Sequence, residues 1–463
     1  MKKILCLFLA AVFVLAGAGV AAGADEAPAA QEEFVPVIRF VASSDTHVKE
    51  DDDTNAKRIP MMMGIAYAQA EADPSYTNLD ALIVAGDLTD QGTKKCFDNF
   101  WEAVSGSLRD GTRFLGVAAK NHDGWNMSRR DVHEYYKSLT GNDPDFHVVI
   151  NGFHFIGLSA SDDDAQHYDS KQLSWLKEQF DAAIKEDPNK PVFFIHHEHN
   201  RDTVYGSSFF DGWGITNFKS ILNNYPQVVD FSGHSHYPLN DPRSVWQGKY
   251  TAIGTGAIYY SEFTIDESRA YDPPDCRETA TFWLVELDAS NNMRLRGYDV
   301  NENKLLVEYM MKNPADPANR DFAQDKIKAK SSAPAFAPGT QIQTEPQFGG
   351  CKATVHKADS TDTMPVTLYR FYAKNSLGIT LAKDWVLPDY YRAIEQDEIE
   401  YTFENLPAGE YTISVVAENA YGMQSPSVET KVTLEGETGI KAVLMVISSF
   451  FTRIAEYIVH LFG

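Results

Sequence analysis

The stretch DFSGHSHYP (230–238) sets His234 and His236 two residues apart, directly after a glycine and at the end of an apolar run. Two adjacent imidazoles repel each other once protonated, so the pair calls for partners that keep both rings neutral. Four other stretches carry comparable groups. VASSDTH supplies Asp45 and His47, IVAGDLTDQG supplies Asp87 and Asp90, GVAAKNHD supplies Asn121, His122 and Asp123, and FFIHHEH supplies His196, His197 and His199. Each alone reads as a turn with a solvated side chain. Five in series are a different matter. Hard oxygen donors mixed with imidazoles suit borderline divalent metals, and aspartates can bridge two ions, as two-metal hydrolytic sites require.

Such groups act together only if the chain brings them to one place. Each cluster follows an apolar run: VIRFVA (37–42), ALIVAG (81–86), RFLGVAA (113–119), PVFFI (191–195) and QVVDF (227–231), with HFIGLSA (154–160) as a further strand. Helical periodicity falls between them, around 58–72, 94–107, 130–138 and 170–186, the last with Leu173, Leu176, Phe180 and Ile184 at 3–4 spacing. Strands alternating with helices predict an α/β domain over 34–330, and ligands of open α/β sheets bind at the carboxyl ends of the strands. TFWLVELD (281–288) and MRLRGYDV (293–300) read as a hairpin closing a sheet.

The series D-x-H, G-D-x-x-D-x-G, N-H-D, H and G-H-x-H resembles the calcineurin-like metallophosphoesterase family over about 290 residues. The resemblance implies a four-layer α/β sandwich holding two divalent ions (Mn, Fe or Zn) and hydrolysing phosphoric esters through a hydroxide that bridges them. Carried over by position, Asp45, His47, Asp87 and His236 hold one ion. Asp87, Asn121, His196 and His234 hold the other, with Asp87 shared. By the same resemblance His122 helps the leaving group depart and Asp123 orients its ring. Three departures stand out: Lys120 where the family has glycine before N-H-D, the run HHEHN in place of a histidine followed by proline, and Asp90 where purple acid phosphatases have tyrosine. The last implies no coloured iron–tyrosinate centre.

SSAPAFAPG (331–339) is a linker of small residues and proline. Beyond it the pattern is all-β, and residues 340–435 resemble a fibronectin type III-like sandwich: Leu406, Pro407, Gly409 and Tyr411 match its tyrosine corner. Such a module is expected to be dispensable for turnover. A second reading of the whole makes the chain a cell-surface binding protein with the first domain as scaffold.

Lys2, Lys3, the apolar run to about Val20 and Ala22-Gly23-Ala24 predict a signal peptide over 1–24, hence a secreted or cell-surface protein. Cys96, Cys276 and Cys351 remain after its removal, too few and too scattered for a disulfide framework. The formal net charge of −24 is spread along the chain and argues against a nucleic-acid groove, not against a small phosphorylated substrate. Residues 440–463 predict an amphipathic helix, with Val443, Ile447, Phe450, Ile454, Tyr457 and Leu461 on one stripe, suited to a membrane surface or to self-association.

Overall fold

Apolar strands end in polar clusters on both of the sheets that build the first part of the chain. The computed structural model describes residues 34–462 apart from 164–165, 209–212, 266–268 and 362; the expected leader at 1–24 lies outside them. From Val35 onward the chain forms one compact unit.

It runs β1 (Pro36–Ser43), α1 (Thr54–Glu71), β2 (Ala81–Ala85), α2 (Lys94–Ser105), β3 (Arg113–Val117), α3 (Arg129–Thr140), β4 (Phe146–Ile150), β5 (Phe153–Gly157) and α4 (Ser170–Glu186). There follow β6 (Val192–Ile195), α5 (Lys219–Leu222), β7 (Val228–Ser232), β8 (Val245–Gln247), β9 (Thr251–Gly254), a ribbon of β10 (Phe263–Ile265) and β11 (Arg269–Tyr271), then β12 (Thr281–Asp288), β13 (Met293–Asp299) and β14 (Lys304–Met311). Two six-stranded mixed sheets result, in the orders β14-β13-β12-β1-β2-β3 and β4-β5-β6-β7-β9-β8. The stretch β1–β3 is parallel, as is β5-β6-β7-β9.

Side chains alternate along a strand, so each strand here feeds two cores. Phe40, Ile83, Phe155, Phe193, Phe231 and Trp283 meet between the sheets. Phe40 packs edge-on against Phe155, Phe193 and Phe231 at 5.0–5.9 Å between ring centroids. Val41, Leu82, Val84 and Leu284 face α1–α3 instead, and Ile156, Val192, Phe194 and Val228 face α4. The helices carry their own start signals: Thr93 caps α2, Ser128 caps α3, and α4 opens with an Asp169–Gln172 capping box.

After α6 (Gln324–Lys330) come β15 (Gln343–Gln347), β16 (Gly350–His356), β17 (Val366–Asn375), β18 (Thr380–Val386), β19 (Glu398–Phe403), β20 (Gly409–Asn419), β21 (Val428–Leu434) and α7 (Gly439–Phe462). The strands form antiparallel sheets in the orders β15-β16-β19 and β18-β17-β20-β21, closed over Tyr369, Phe371, Phe403 and Ile413. The Tyr411 hydroxyl donates to the Pro407 carbonyl at 2.9 Å, the bond expected of a tyrosine corner. Cys96, Cys276 and Cys351 are buried free thiols. In α7, Val446 packs on the sandwich while Val443, Leu444 and Ile447 are exposed; among the described residues no helix is long and apolar enough to cross a membrane.

The sandwich is not a loosely tethered appendage. Its β18–β19 segment presses Tyr391, buried, against Phe263 at 4.7 Å between ring centroids, and the hydroxyl donates to Asp275 at 2.9 Å. Arg392 pairs with Asp275 and Glu278, and the Ala393 amide donates to Asp299 at 3.1 Å. These contacts brace the stretch that carries Tyr259 and Tyr260, whose rings lie against His47 and His236. The expectation of dispensability therefore meets a structural objection. A chain ending near Ser331 should melt earlier than the full chain. Tyr391→Ala alone should cost about 3–5 kcal/mol in denaturant unfolding; a truncated chain of unchanged melting temperature would show the contacts to be idle.

Candidate metal centre

The parallel strands of both sheets end at one place, and their polar clusters adopt an uncommon backbone there. Ten non-glycine residues among those described have positive φ. Five are Asn or Asp away from this region: Asn151, Asp202, Asn291, Asn303 and Asn405. The others are Asp45, His47, Asp87, His234 and His236, at φ 51°, 43°, 47°, 74° and 57°. A left-handed conformation costs an ordinary residue of order 1–3 kcal/mol and gathers at functional sites. It is held here by bonds between neighbouring loops: Asp45 N to Gly86 O and His47 N to Asp87 O, both 3.0 Å, with the His234 amide donating to Asp45 Oδ2 at 2.9 Å.

Two glycines make room for this. A Cβ on Gly233 would run into the Asp45 carboxylate and the Ser44 hydroxyl, so Gly233 serves close approach rather than an unusual φ. Gly86, at φ +84°, leaves space that a Cβ would take from the His197 ring, 2.5 Å from its Nδ1.

Among the described residues the side chains form three groups. Asp45, His47 and His236 are the first, Asp87, His197 and His234 the second, and His47 also meets Asp90 and His122 in a third. In the first, His236 Nε2 lies 3.1 Å from Asp45 Oδ1 and 3.3 Å from His47 Nε2. In the second, His197 Nε2 lies 3.3 Å from Asp87 Oδ2 and 3.1 Å from His234 Nδ1. Asp87 Oδ2 is also 3.6 Å from His47 Nε2, so this carboxylate joins the groups. Asn121 Nδ2 sits 3.0 Å from the same oxygen, and a half-turn of the amide exchanges it for Oδ1.

Cations fit this donor set. Asp45 Oδ1, Asp87 Oδ1 and Asn121 Oδ1 are buried and accept no hydrogen bond, a costly state for oxygen unless something else is bound. The carboxylates also draw positive charge onto the imidazoles. Burial alone would lower the His47 pKa, but Asp45, Asp90 and Asp87 raise it to about 9. His197 is likewise raised, burial being outweighed by Asp87, whereas burial and the neighbouring His197 push His234 down to about 4. Divalent ions would satisfy the carboxylates and leave every ring neutral.

One expected ligand is displaced by one residue. His196 does not reach the cluster; its Nε2 lies 2.7 Å from Asp230 Oδ1, and its ring stacks on Phe194 on the α4 side of the sheet. His197 takes the inner position. Phe193, Ile195 and His197 share one face of the strand and Phe194 and His196 the other, because side chains alternate. The His197 Nδ1–H donates to the Ala85 carbonyl at 2.9 Å, which leaves the Nε2 lone pair facing Asp87 and His234.

The pairing expected of His122 and Asp123 is also revised. Asp123 does not orient the His122 ring. Buried, it accepts from the amides of Leu88, Thr89 and Ala119 and from the Thr89 hydroxyl, tying the loops after β2 and β3 together. Burial and nearby Asp87 raise its pKa to about 6. The His122 ring is set instead by its Nδ1–H, which donates to the Asp90 carbonyl at 2.8 Å, and by Trp125 at 3.8 Å between centroids. It lies 4.3 Å from the His47 ring by the same measure. Asp90, left without a role above, places Oδ1 3.5 Å from His47 Nδ1.

A cleft of about 550 Å³ opens beside the second group, with Asn121 and His234 in its wall. Glu198 and His199 are buried, Glu198 in the wall of this cleft. Glu198 meets His167 at 3.0 Å, and His199 is held between the Ser232 and Ser235 hydroxyls.

No protein-family profile matches the sequence, and no curated protein does. Among solved structures, the purple acid phosphatase PPD1 of yellow lupin (Lupinus luteus) aligns at 13% identity and TM-score 0.40, over 59% of this chain and 53% of that one. A Staphylococcus aureus protein assigned as a 5'-nucleotidase, in complex with α-ketoglutarate, aligns at 14% identity and TM-score 0.32, over 60% and 54%. The chain thus spans about half the length of each. Fibronectin(III)-like modules of Clostridium thermocellum CbhA align at 15% identity and TM-score 0.15, over 21% of this chain and all of theirs. Likeness at these scores adds nothing to the geometry of the site itself.

Proposed function

We propose that the chain is a phosphoric ester hydrolase of the calcineurin-like metallophosphoesterase type, working with two divalent ions and exported from the cell. One observation carries the reading: two largely buried groups of oxygen and imidazole donors adjoin, with Asp87 of the second 3.6 Å from His47 of the first, and each holds a carboxylate oxygen that accepts no hydrogen bond. Asp45, His47, Asp87 and His236 would hold one ion, and Asp87, Asn121, His197 and His234 the other. The two mixed sheets, packed face to face, support that reading.

Bound there, such ions acidify a water and neutralise charge on the phosphoryl oxygens. The chain's own residues do the rest. Asp87 fixes the spacing of the two groups. The Ala85 carbonyl and the Asp90 carboxylate turn the rings of His197 and His47 toward the centre. His122, its Nδ1–H tied to Asp90, keeps Nε2 for proton exchange with the departing oxygen.

The test is metal analysis of the purified protein together with a panel of phosphomonoesters and phosphodiesters. Two ions per chain and turnover of at least one class are expected; a metal-loaded protein inert to both classes would refute the reading. His122→Asn should keep both ions and lose rate by roughly 10²–10⁴. The loss should shrink as leaving groups improve, and a uniform loss along a leaving-group series would remove His122 from proton transfer.

A further inference from the structure

The rings around His122 stand in a file that leads outward from the first metal group. His47 meets His122 edge-on at 4.3 Å between centroids, and His122 in turn lies against Trp125 at 3.8 Å and a tilt of 34°. Trp125 ends the file. It is 59% exposed, the only exposed tryptophan among the described residues. Tryptophan is on average highly buried, so an indole left in water beside a ring of the candidate centre calls for an occupant. Its place is fixed by the backbone: the Trp125 amide donates to the His122 carbonyl at 3.5 Å, closing the turn His122–Gly124. The side chain lines the cleft of about 550 Å³ that also has Asn121 and His234 in its wall. Trp213 lines the same cleft, its ring edge-on to His234 at 4.8 Å. One indole thus adjoins the ring that is to meet the departing oxygen, and the other adjoins a ring of the second metal group.

Resting on the hydrolase reading above, we infer that the cleft selects phosphoesters whose departing alcohol carries a planar aromatic ring, laid against the indoles of Trp125 and Trp213. The departing oxygen has to come within reach of His122, and Trp125 flanks that ring, so the group attached to the oxygen enters the cleft along Trp125. An indole offers a flat, polarised surface that an aromatic ring covers in offset-stacked or edge-to-face geometry, to a degree that a saturated ring does not match. Such stacking accepts many ring types, because every aromatic ring has a π-face. The substrate class is therefore set by planarity rather than by one pattern of hydrogen bonds.

The experiment compares benzyl with cyclohexylmethyl esters, each offered to the metal-loaded full chain as the phosphomonoester and as the symmetrical diester. The two alcohols are poor leaving groups of similar basicity, and the saturated ring has more apolar surface, so burial alone would favour it. Instead, kcat/KM should favour the benzyl ester by about fivefold, the worth of an aromatic pair beyond its buried area. The ratio should fall to one or below in Trp125→Leu and in Trp213→Leu, and survive in Trp125→Phe, which keeps a ring. Any slowing that follows from the loss of Trp125 beside His122 is common to both esters and cancels in the ratio. A ratio of one or below in the unaltered protein, or one that neither leucine variant moves, overturns the inference. If no ester is turned over, the hydrolase reading is what fails. Benzylphosphonate and cyclohexylmethylphosphonate, titrated calorimetrically into the metal-loaded protein, then decide for the cleft: about fivefold tighter binding of the aromatic compound sustains the preference, and equal or absent binding ends it.

Discussion

Asp87→Asn should strip both ions and abolish hydrolysis. The substitution keeps the shape of the side chain and removes the charge from the one carboxylate that approaches both groups, 3.6 Å from His47 Nε2 and 3.3 Å from His197 Nε2. The remaining first group would still hold Asp45 but would lose its link to the second, whose described donors would then be Asn121 and two imidazoles. Metal ions contribute several kcal/mol of charge stabilisation in such displacements, and 1.36 kcal/mol is a factor of ten in rate. Phosphate release should therefore fall by roughly 10³-fold or more, and metal content toward zero. An Asp87→Asn protein with two ions and an undiminished rate would remove the shared-carboxylate geometry from the mechanism.

The second large effect separates two adjacent histidines. His197→Ala should lose about one ion per chain and slow hydrolysis by roughly 10²–10³, because its Nε2 stands in the second group. His196→Ala should keep both ions. Its damage is to the fold: His196 and Asp230 are both fully buried 2.7 Å apart, with Asn200 donating to the other Asp230 oxygen at 2.8 Å. Removing one partner of a buried pair costs about 3–5 kcal/mol, readable in denaturant unfolding. Metal counting on the two variants decides between them, and the opposite outcome, ions lost from His196→Ala and kept in His197→Ala, would restore the assignment drawn from the sequence.

That displacement shows where the sequence stops being legible. The clusters at the strand ends and the alternation of strands and helices follow from motifs and periodicity, and the grouping of His236 with Asp45 and His47 is what the family resemblance implies. The choice between His196 and His197 turns on which face of β6 looks between the sheets. Both faces are apolar, Val192 and Phe194 on one side and Phe193 and Ile195 on the other, so the pattern cannot choose. Asp123 departs from its expected role for a related reason: two of its amide partners, Leu88 and Thr89, lie in a loop more than thirty positions away, which no spacing reveals. The β4–β5 hairpin was within reach. Its turn is Asn151-Gly152, at φ 51° and 76°, the strongest short-range hairpin signal there is.

The left-handed turns at the centre have a consequence for how metal is taken up. The Asp45 and His47 amides are bonded to the neighbouring loop, and the Glu262 amide donates to the His236 carbonyl at 3.2 Å. None of these bonds involves a donor atom of the two metal groups, so ions can enter and leave without breaking them. Hydrogen–deuterium exchange at Asp45, His47 and Glu262 should accordingly be almost as slow in chelator-treated protein as in the loaded form. The cost of bending the backbone is met during folding, and little reorganisation is left to oppose the arrival of the ions.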